Sequence, residues 1–361
     1  MEQYRDITYT QSLDLKDPLY IDVRSPSEHH KAAIPGAVNL PLFDDDEREI
    51  IGLIYQKDPR QARIKGLSFA SPKLPQMVEK IQAFSRENTP VLYCWRGGMR
   101  SKSLCLLLQM MNIDCYRLKG GYKAYRKFIL ERLNSYEITQ KVYVLNGLTG
   151  VGKTRVLHLL AEMGCPTIDL EGMAQHRGSM FGHLGKNPRS QKNFDSLLWE
   201  RLKQLEKYSY IALEGEGKRI GSIFVPDFLI NAIKEGEHIL LKAPIEGRAE
   251  RILQEYYPTT PEEIAEVESA LQGLEKYIGR KNLQHFLYLL RNNQFYELVY
   301  ELCEHYYDRL YKESREKQDR YILTVDATDP GQAAKTIMEF LEPGRGNITQ
   351  EKQGKQQSLQ F

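Results

Sequence analysis

Two short stretches of the chain carry residue types whose spacing can do chemistry. In the first, Cys94 ends the apolar run PVLYC and is followed by Trp95, Arg96, Gly97, Gly98, Met99, Arg100 and Ser101, after which SKSLCLLLQM reads as a helix. In a strand, tight loop and helix of this kind, Gly97 and Gly98 let the backbone curl so that successive N–H groups point inward. The positive end of the helix adds to that field. Such a cradle binds anions, and its field, reinforced by Arg96 or Arg100, favours Cys94 as a thiolate, hence as a nucleophile or chalcogen carrier. The other cysteines, Cys105, Cys115, Cys165 and Cys303, stand in no such loop and read as buried core thiols.

The second stretch is Gly147, Leu148, Thr149, Gly150, Val151, Gly152, Lys153 and Thr154, which fits G-x-x-x-x-G-K-[ST] between the strand KVYVLN and the helical TRVLHLLAEMG. Its backbone N–H groups surround a diphosphate, Lys153 neutralises the outer charge, and the Thr154 hydroxyl is the ligand for Mg²⁺ if a metal is bound. No metal site is assigned beyond that, and no tightly bound cofactor is expected. ATP, GTP and an isoprenyl diphosphate offer such a loop the same phosphates, so the rest of the domain must choose among them.

Candidates for that choice lie at the ends of the next two strands, where parallel sheets bind ligands. After the first come Asp169, Glu171, His176, Arg177, Gly178 and Ser179; after the second come Glu214, Glu216 and Arg219. Asp169 or Glu171 is a candidate base or metal partner, His176 a proton carrier, and Arg177 and Arg219 clamps for phosphate or an RNA backbone. Glu214 stands where ATP-hydrolysing P-loop proteins usually have Asp, which weakens the case for ATP hydrolysis. Arg248 and Arg251, one helical turn apart, either close over the phosphates or lie on a solvated face.

Positioning these loops requires two α/β series. The first alternates PLYIDV, PKLPQMVEKIQAFS, PVLYC, SKSLCLLLQMMNI and DCYRL, and ends in the helix AYRKFILERLNSYEIT. The second has strands at KVYVLN, CPTIDL, YIALEG, HILLKA and RYILTVDA, separated by stretches long enough for crossover helices, which predicts a parallel sheet. We place domains at 1–138 and 139–342, with a helical insertion over about 258–316 that Thr260, Pro261 and Glu263 begin. The Gln-rich stretch 343–361 reads as a disordered tail.

Bulk composition agrees with two cores: 361 residues, 41% hydrophobic and 27% charged, describe a globular chain longer than one core usually supports. Scattered cysteines exclude a disulfide scaffold and a zinc knuckle. The absence of a long apolar run, and an N-terminus without signal-peptide order, exclude a membrane span and point to the cytoplasm. The net charge of +2 is silent on nucleic acid.

YIDVRSPSEHHKAAIPGAVNLP resembles the opening of a rhodanese domain, matching it at Asp22, Arg24, Glu28, Ile34, Pro35, Gly36, Ala37, Asn39 and Pro41, and LKGGYKAYR, with Gly120 and Gly121, resembles its end. Five residues separate Cys94 from Arg100, one more than in the usual short rhodanese loop and as many as in the related cell-cycle phosphatases. A cradle of that width suits a tetrahedral anion and leaves a phosphatase open, although no Glu or Asp lies inside the loop. YCWRGGMRS followed by NGLTGVGKT and DLEGMAQHRGSMFG resembles, in combination and over roughly residues 5 to 340, the tRNA 2-selenouridine synthase family.

That resemblance implies an N-terminal rhodanese-like domain plus a C-terminal P-loop parallel-sheet domain with a helical insertion. It also implies an exchange of sulfur for selenium at the wobble 2-thiouridine of tRNA. Geranyl diphosphate and selenophosphate are the implied co-substrates: geranylation of the 2-thio sulfur expels diphosphate into the P-loop, and selenium then displaces geranylthiol. Cys94, Arg100 and Lys153 are the implied catalytic residues, with Cys94 either carrying selenium or orienting selenophosphate. The implied partners are the tRNA and an enzyme supplying selenophosphate. Trp95 either stacks on an anticodon base or belongs to the core, and Lys276, Arg280 and Lys281 of the insertion offer a tRNA platform. The alternatives are an ATP-dependent tRNA sulfurtransferase with a Cys94 persulfide, and a nucleotide-binding regulator.

Overall fold

In this computed structural model, residues 5–179, 181–309 and 321–342 are described. The tail expected at 343–361 and the end of the insertion lie outside them. No helix among the described residues is long and apolar enough to cross a membrane.

The chain forms two compact units, one of residues 1–136 with 189–200 and the other of 137–188 with 201–361. The first unit is built on strands β1 (Arg5–Ile7), β2 (Pro18–Asp22), β3 (Val38–Asn39), β4 (Thr89–Tyr93) and β5 (Tyr116–Leu118). They form one parallel sheet in the order β1-β5-β4-β2-β3. The central strand β4 is buried along Pro90–Tyr93, as an apolar run covered on both faces must be, and Cys94 leaves its carboxyl end. The sequence reading missed the edge strands β1 and β3, each of three residues or fewer and too short for a periodicity signal. It also missed the helices Asp45–Lys57 and Pro59–Ala70, the second capped by Asp58, whose carboxylate accepts the N–H groups of Arg60 and Gln61.

Residues 189–200, within the stretch read as the P-loop domain, pack with the first unit. Asp195 pairs with Arg126 at 2.5 Å, Ser190 donates to the Lys31 carbonyl at 2.7 Å, and Trp199 packs edge-on against Phe128 and Tyr136. Such long-range partners leave no local sequence signal.

The second unit contains β6 (Lys141–Asn146), β7 (Thr167–Ile168), β8 (Tyr210–Glu214), the hairpin β9 (Arg219–Ile220) with β10 (Ile223–Phe224), β11 (Glu237–Lys242) and β12 (Tyr321–Asp326). Five of these strands form the expected parallel sheet in the order β12-β11-β6-β8-β7, while β9 and β10 pair with each other alone. The insertion is helical as expected: Pro261–Gly273, Glu275–Ile278, Arg280–Arg291, Phe295–Leu302 and a π-turn at Cys303–Tyr307. Thr260 accepts the Glu263 N–H at 3.2 Å while the Glu263 carboxylate accepts the Thr260 N–H at 3.1 Å, a capping box at the predicted start. The insertion has its own core around Leu271, Leu274, Phe286 and Leu290, joined by Phe181 and Leu184 from the loop after β7.

Candidate active site

The residues that match the rhodanese opening bond chiefly to one another. Asp22 and Arg24 are buried and paired, Arg24 Nε to Asp22 Oδ1 at 2.8 Å and Nη2 to Oδ2 at 2.5 Å. Burial pushes the Asp22 carboxyl up, but its bonds to His29 and Arg24 outweigh that and hold it below the usual range. Asn39 donates to the carbonyls of both Asp22 and Arg24. Asp22, Arg24 and Asn39 therefore fix the backbone at the end of β2, and of the matched residues Glu28 bonds Arg100 of the cysteine loop.

Gly120 and Gly121 have an equally physical role. The N–H groups of Tyr122 and Lys123 donate to the carbonyls of Cys94 and Trp95, both at 2.9 Å, so the two loops lie backbone to backbone. A Cβ at Gly121, whose φ is +59°, would sit 2.1 Å from the Cys94 carbonyl oxygen, so no other residue fits there.

Within the loop, the Gly98 N–H donates to Cys94 Sγ at 3.2 Å and the Ser101 hydroxyl lies 3.3 Å from it. Gly98 caps the helix Met99–Met110, so the sulfur stands at a helix N-terminus of twelve residues, as expected. Arg100 is placed differently from the expectation. Its guanidinium is paired through two nitrogens with Glu28, at 2.5 and 3.1 Å, so a carboxylate offsets the charge assigned to the thiol. Arg96 and Met99 are exposed and Gly97 is half-buried. Trp95 is half-buried and stacked on Tyr122 with centroids 5.7 Å apart, and the Lys192 ammonium lies 5.4 Å from its ring. Lys192 was not anticipated, being distant in sequence.

The second unit's loop surrounds a cavity of about 1370 Å³ that Gly147 to Thr154 line together with Glu171, His176, Arg177, Gly178, Ser179, Glu214, Glu216 and Arg219. The structure thus gathers the expected strand-end residues, apart from Asp169. That carboxylate accepts the Gly172 N–H and bonds His158 Nε2, both at 2.7 Å, and so caps the helix Leu170–Ala174. Lys153 Nζ donates to the Gly147 carbonyl at 3.2 Å, and the Thr154 hydroxyl donates to Glu171 at 3.2 Å.

Burial pushes the carboxyls of Glu171 and Glu214 well above the usual range, with the charge of Glu216 adding to the first and that of Glu171 to the second. Burial and the charge of Glu214 raise Glu216 to about 7. His176 accepts the Gly178 N–H at Nδ1, 3.1 Å away, and burial with the nearby His183 and Arg177 holds its pKa down, which suits a neutral proton carrier. Arg177 donates to the Leu184 carbonyl at 2.9 Å, and Arg219 lies over the Phe224 ring.

Arg248 and Arg251 both line the cavity beside the loop and bond its backbone, Arg248 buried and Arg251 half-buried. Arg248 is 3% exposed and donates to the Thr149 carbonyl at 3.1 Å while pairing with Asp308; Arg251 donates to the carbonyls of Val151, Ala327 and Thr328. Both brace the loop through its carbonyls. Gly150, at φ +77°, passes so close that a Cβ would meet the Arg248 carbonyl at 2.7 Å.

One feature of the site has no counterpart in the sequence reading. An apolar cleft of about 70 Å³ shares Thr149, Ser179, Ile252 and Tyr307 with the phosphate cavity and runs between Phe181, Leu184, Leu253, Val267, Leu290, Phe295, Leu298, Val299 and Leu302. Its walls come from the post-β7 loop, the helix Ile245–Tyr256 and the insertion, which only the fold brings together.

A cysteine anion loop on one parallel sheet and a braced P-loop on another define a rhodanese-like module joined to a P-loop module. The model of the rhodanese-like domain matches residues 8–128, and that of the tRNA 2-selenouridine synthase AAA domain matches residues 140–341. The chain belongs to the tRNA 2-selenouridine synthase family.

Curated relatives named tRNA 2-selenouridine synthase include one from Nitrosomonas europaea, 33% identical over 69% of this chain and 66% of its own length. One from Hydrogenovibrio crunogenus is 36% identical over 76% of this chain and 79% of its own. One from Shewanella frigidimarina is 32% identical over 85% of this chain and 91% of its own.

Proposed function

We propose that this chain is a cytoplasmic enzyme that replaces sulfur by selenium at the wobble 2-thiouridine of tRNA, through an S-geranyl intermediate made from geranyl diphosphate, with selenophosphate as the selenium donor. The observation that carries the reading is the junction of a phosphate cradle with an apolar cleft at Thr149, Ser179, Ile252 and Tyr307. A ligand with a diphosphate head and a hydrocarbon tail uses both.

In the first step the 2-thio sulfur forms a bond to C1 of the geranyl group as the C1–O bond breaks. The bonding electrons leave with diphosphate, and the uracil N3 proton is lost to the site. The loop amides and Lys153 stabilise the negative charge that develops on the leaving group, which needs no nucleotide turnover. His176, held neutral, is the proton acceptor within the same cavity.

In the second step selenium of selenophosphate attacks C2 of the base, the C2–S bond breaks and geranylthiol departs. Water cleaves the Se–P bond to give phosphate and 2-selenouridine. The Cys94 loop, with the Gly98 amide and the Ser101 hydroxyl at the sulfur, is the site for selenophosphate or the selenium it delivers. Exposed Lys276, Arg280 and Lys281 contact the tRNA backbone, with Tyr277 and Tyr288 exposed beside them.

Mass analysis of the wobble nucleoside, after incubation with thiolated tRNA, geranyl diphosphate and selenophosphate, tests this. Geranyl and then selenium should appear, with Lys153→Ala blocking the first and Cys94→Ser the second. A base changed only when ATP is supplied, or gaining only sulfur, would put the sulfurtransferase in its place.

A further inference from the structure

Three carboxylates meet beside the P-loop. Glu171 follows β7, Glu214 ends β8 and Glu216 lies two residues beyond it, and one oxygen from each falls within 4.8 Å of the others. Acidic clusters are common without a ligand. Glu214 distinguishes this one: it is 2% exposed, and among the described residues neither of its carboxylate oxygens has a hydrogen-bond partner. A carboxylate that buried is costly to leave unpaired. The P-loop cation Lys153 acts on the three carboxyls through its charge, but its hydrogen bond goes to the Gly147 carbonyl.

We infer that Glu171, Glu214 and Glu216 form a site for a divalent cation of the Mg²⁺ class, and that the protein binds this cation before any diphosphate enters. The donors are hard oxygens, the set that selects Mg²⁺, Ca²⁺ or Mn²⁺ over softer metals. The Thr154 hydroxyl, 3.2 Å from Glu171, stands at the edge of the cluster as a further oxygen ligand. A threonine and one acid hold such a cation mainly together with phosphates; three carboxylates supply enough protein ligands to hold it first. The order of binding follows from charge. Ionised, the three carboxylates repel an incoming diphosphate, and a cation between them both favours their ionised form and reverses that sign.

The inference rests on the proposed function only in taking this cavity as a diphosphate site. Its test uses neither prenyl donor nor tRNA. Mn²⁺ stands in for Mg²⁺, and loss of the free-ion electron paramagnetic resonance signal is followed as the full chain is titrated at pH 8 without diphosphate.

One Mn²⁺ per chain is expected, with affinity at least tenfold weaker in Glu214→Gln and in Glu171→Gln, and unchanged in Glu268→Gln on the surface of the insertion. In a second arm, calorimetric binding of inorganic pyrophosphate should tighten at least tenfold with Mn²⁺ in the wild type and not in Glu214→Gln. If Glu214→Gln does not fold, the half-buried Glu216→Gln gives the same reading. No Mn²⁺ binding without pyrophosphate, or equal binding by the folded variants, overturns the inference. A wrong choice of prenyl donor leaves the Mn²⁺ titration as expected.

Discussion

Arg100 and Glu28 are joined by two charge-assisted hydrogen bonds, 2.5 and 3.1 Å long, that tie the helix after Cys94 to the helix after β2. Glu28 also accepts the Ser25 N–H at 3.2 Å, so one carboxylate both caps its own helix and holds the arginine of the cysteine loop.

This pair sets an acid limit on stability. Burial pushes Glu28 up, but the hydrogen bonds and charge of Arg100 outweigh it and hold the carboxyl below the usual range. A depressed carboxyl contributes stability that is fully present above the unfolded-state pKa of about 4.3, and that is lost as pH falls through the folded-state value. Glu28→Gln should cost roughly 1–3 kcal/mol at neutral pH and flatten the fall of Tm below about pH 4. Thermal melts from pH 3 to 7 on both proteins measure this.

Gly121→Ala should damage the first unit selectively. The added Cβ overlaps the Cys94 carbonyl, and the backbone there is left-handed. We expect a loss of roughly 2–4 kcal/mol and loss of selenium incorporation, while geranylation by the second unit persists. Calorimetry and nucleoside mass analysis separate the two effects.

Lys153→Ala should lower the single-turnover rate of geranylation by about 10²–10³, the usual effect of removing one charge-stabilising donor. Its melting temperature should stay near that of the wild type, because the ammonium hydrogen-bonds a carbonyl of its own loop, that of Gly147 at 3.2 Å. An equal loss of stability and rate would point to a structural role.

Val299→Phe tests the apolar cleft. Val299 is half-buried on the cleft wall, so the larger side chain can project into the cleft without breaking the core. Geranyl diphosphate should bind at least tenfold more weakly while inorganic pyrophosphate binds as before, since only the tail is excluded. Calorimetric titration with both ligands checks the expectation.

Arg248→Ala should loosen the P-loop. The variant loses the bond to the Thr149 carbonyl and leaves Asp308 without its guanidinium, at a cost of about 3–5 kcal/mol for a broken buried pair. Melting temperature and pyrophosphate affinity should fall together.

Both loops were legible in the sequence because the pattern that marks each is local. Cys94 and the Gly-rich run at 147–154 each need a strand before and a helix after, and those elements are written in adjacent residues. The capping box at Thr260 and Glu263, and the parallel series of the second unit, are local in the same sense. What depends on distant partners was not legible. Glu28 takes the Arg100 charge across 72 positions, Arg248 braces Thr149 across 99, and Asp195 joins the first unit through Arg126 across 69. Asp169 and Glu171 look alike in sequence, yet one caps a helix and the other lines the cavity. The sequence by itself determined the two folds and their two anion loops, since strand, turn and helix preferences act over a few residues. Only the tertiary structure decided which charges are paired, which carboxylates converge, and where an apolar cleft opens beside the phosphate cradle. Those properties arise when packing brings segments distant along the chain within a few ångströms and excludes water between them.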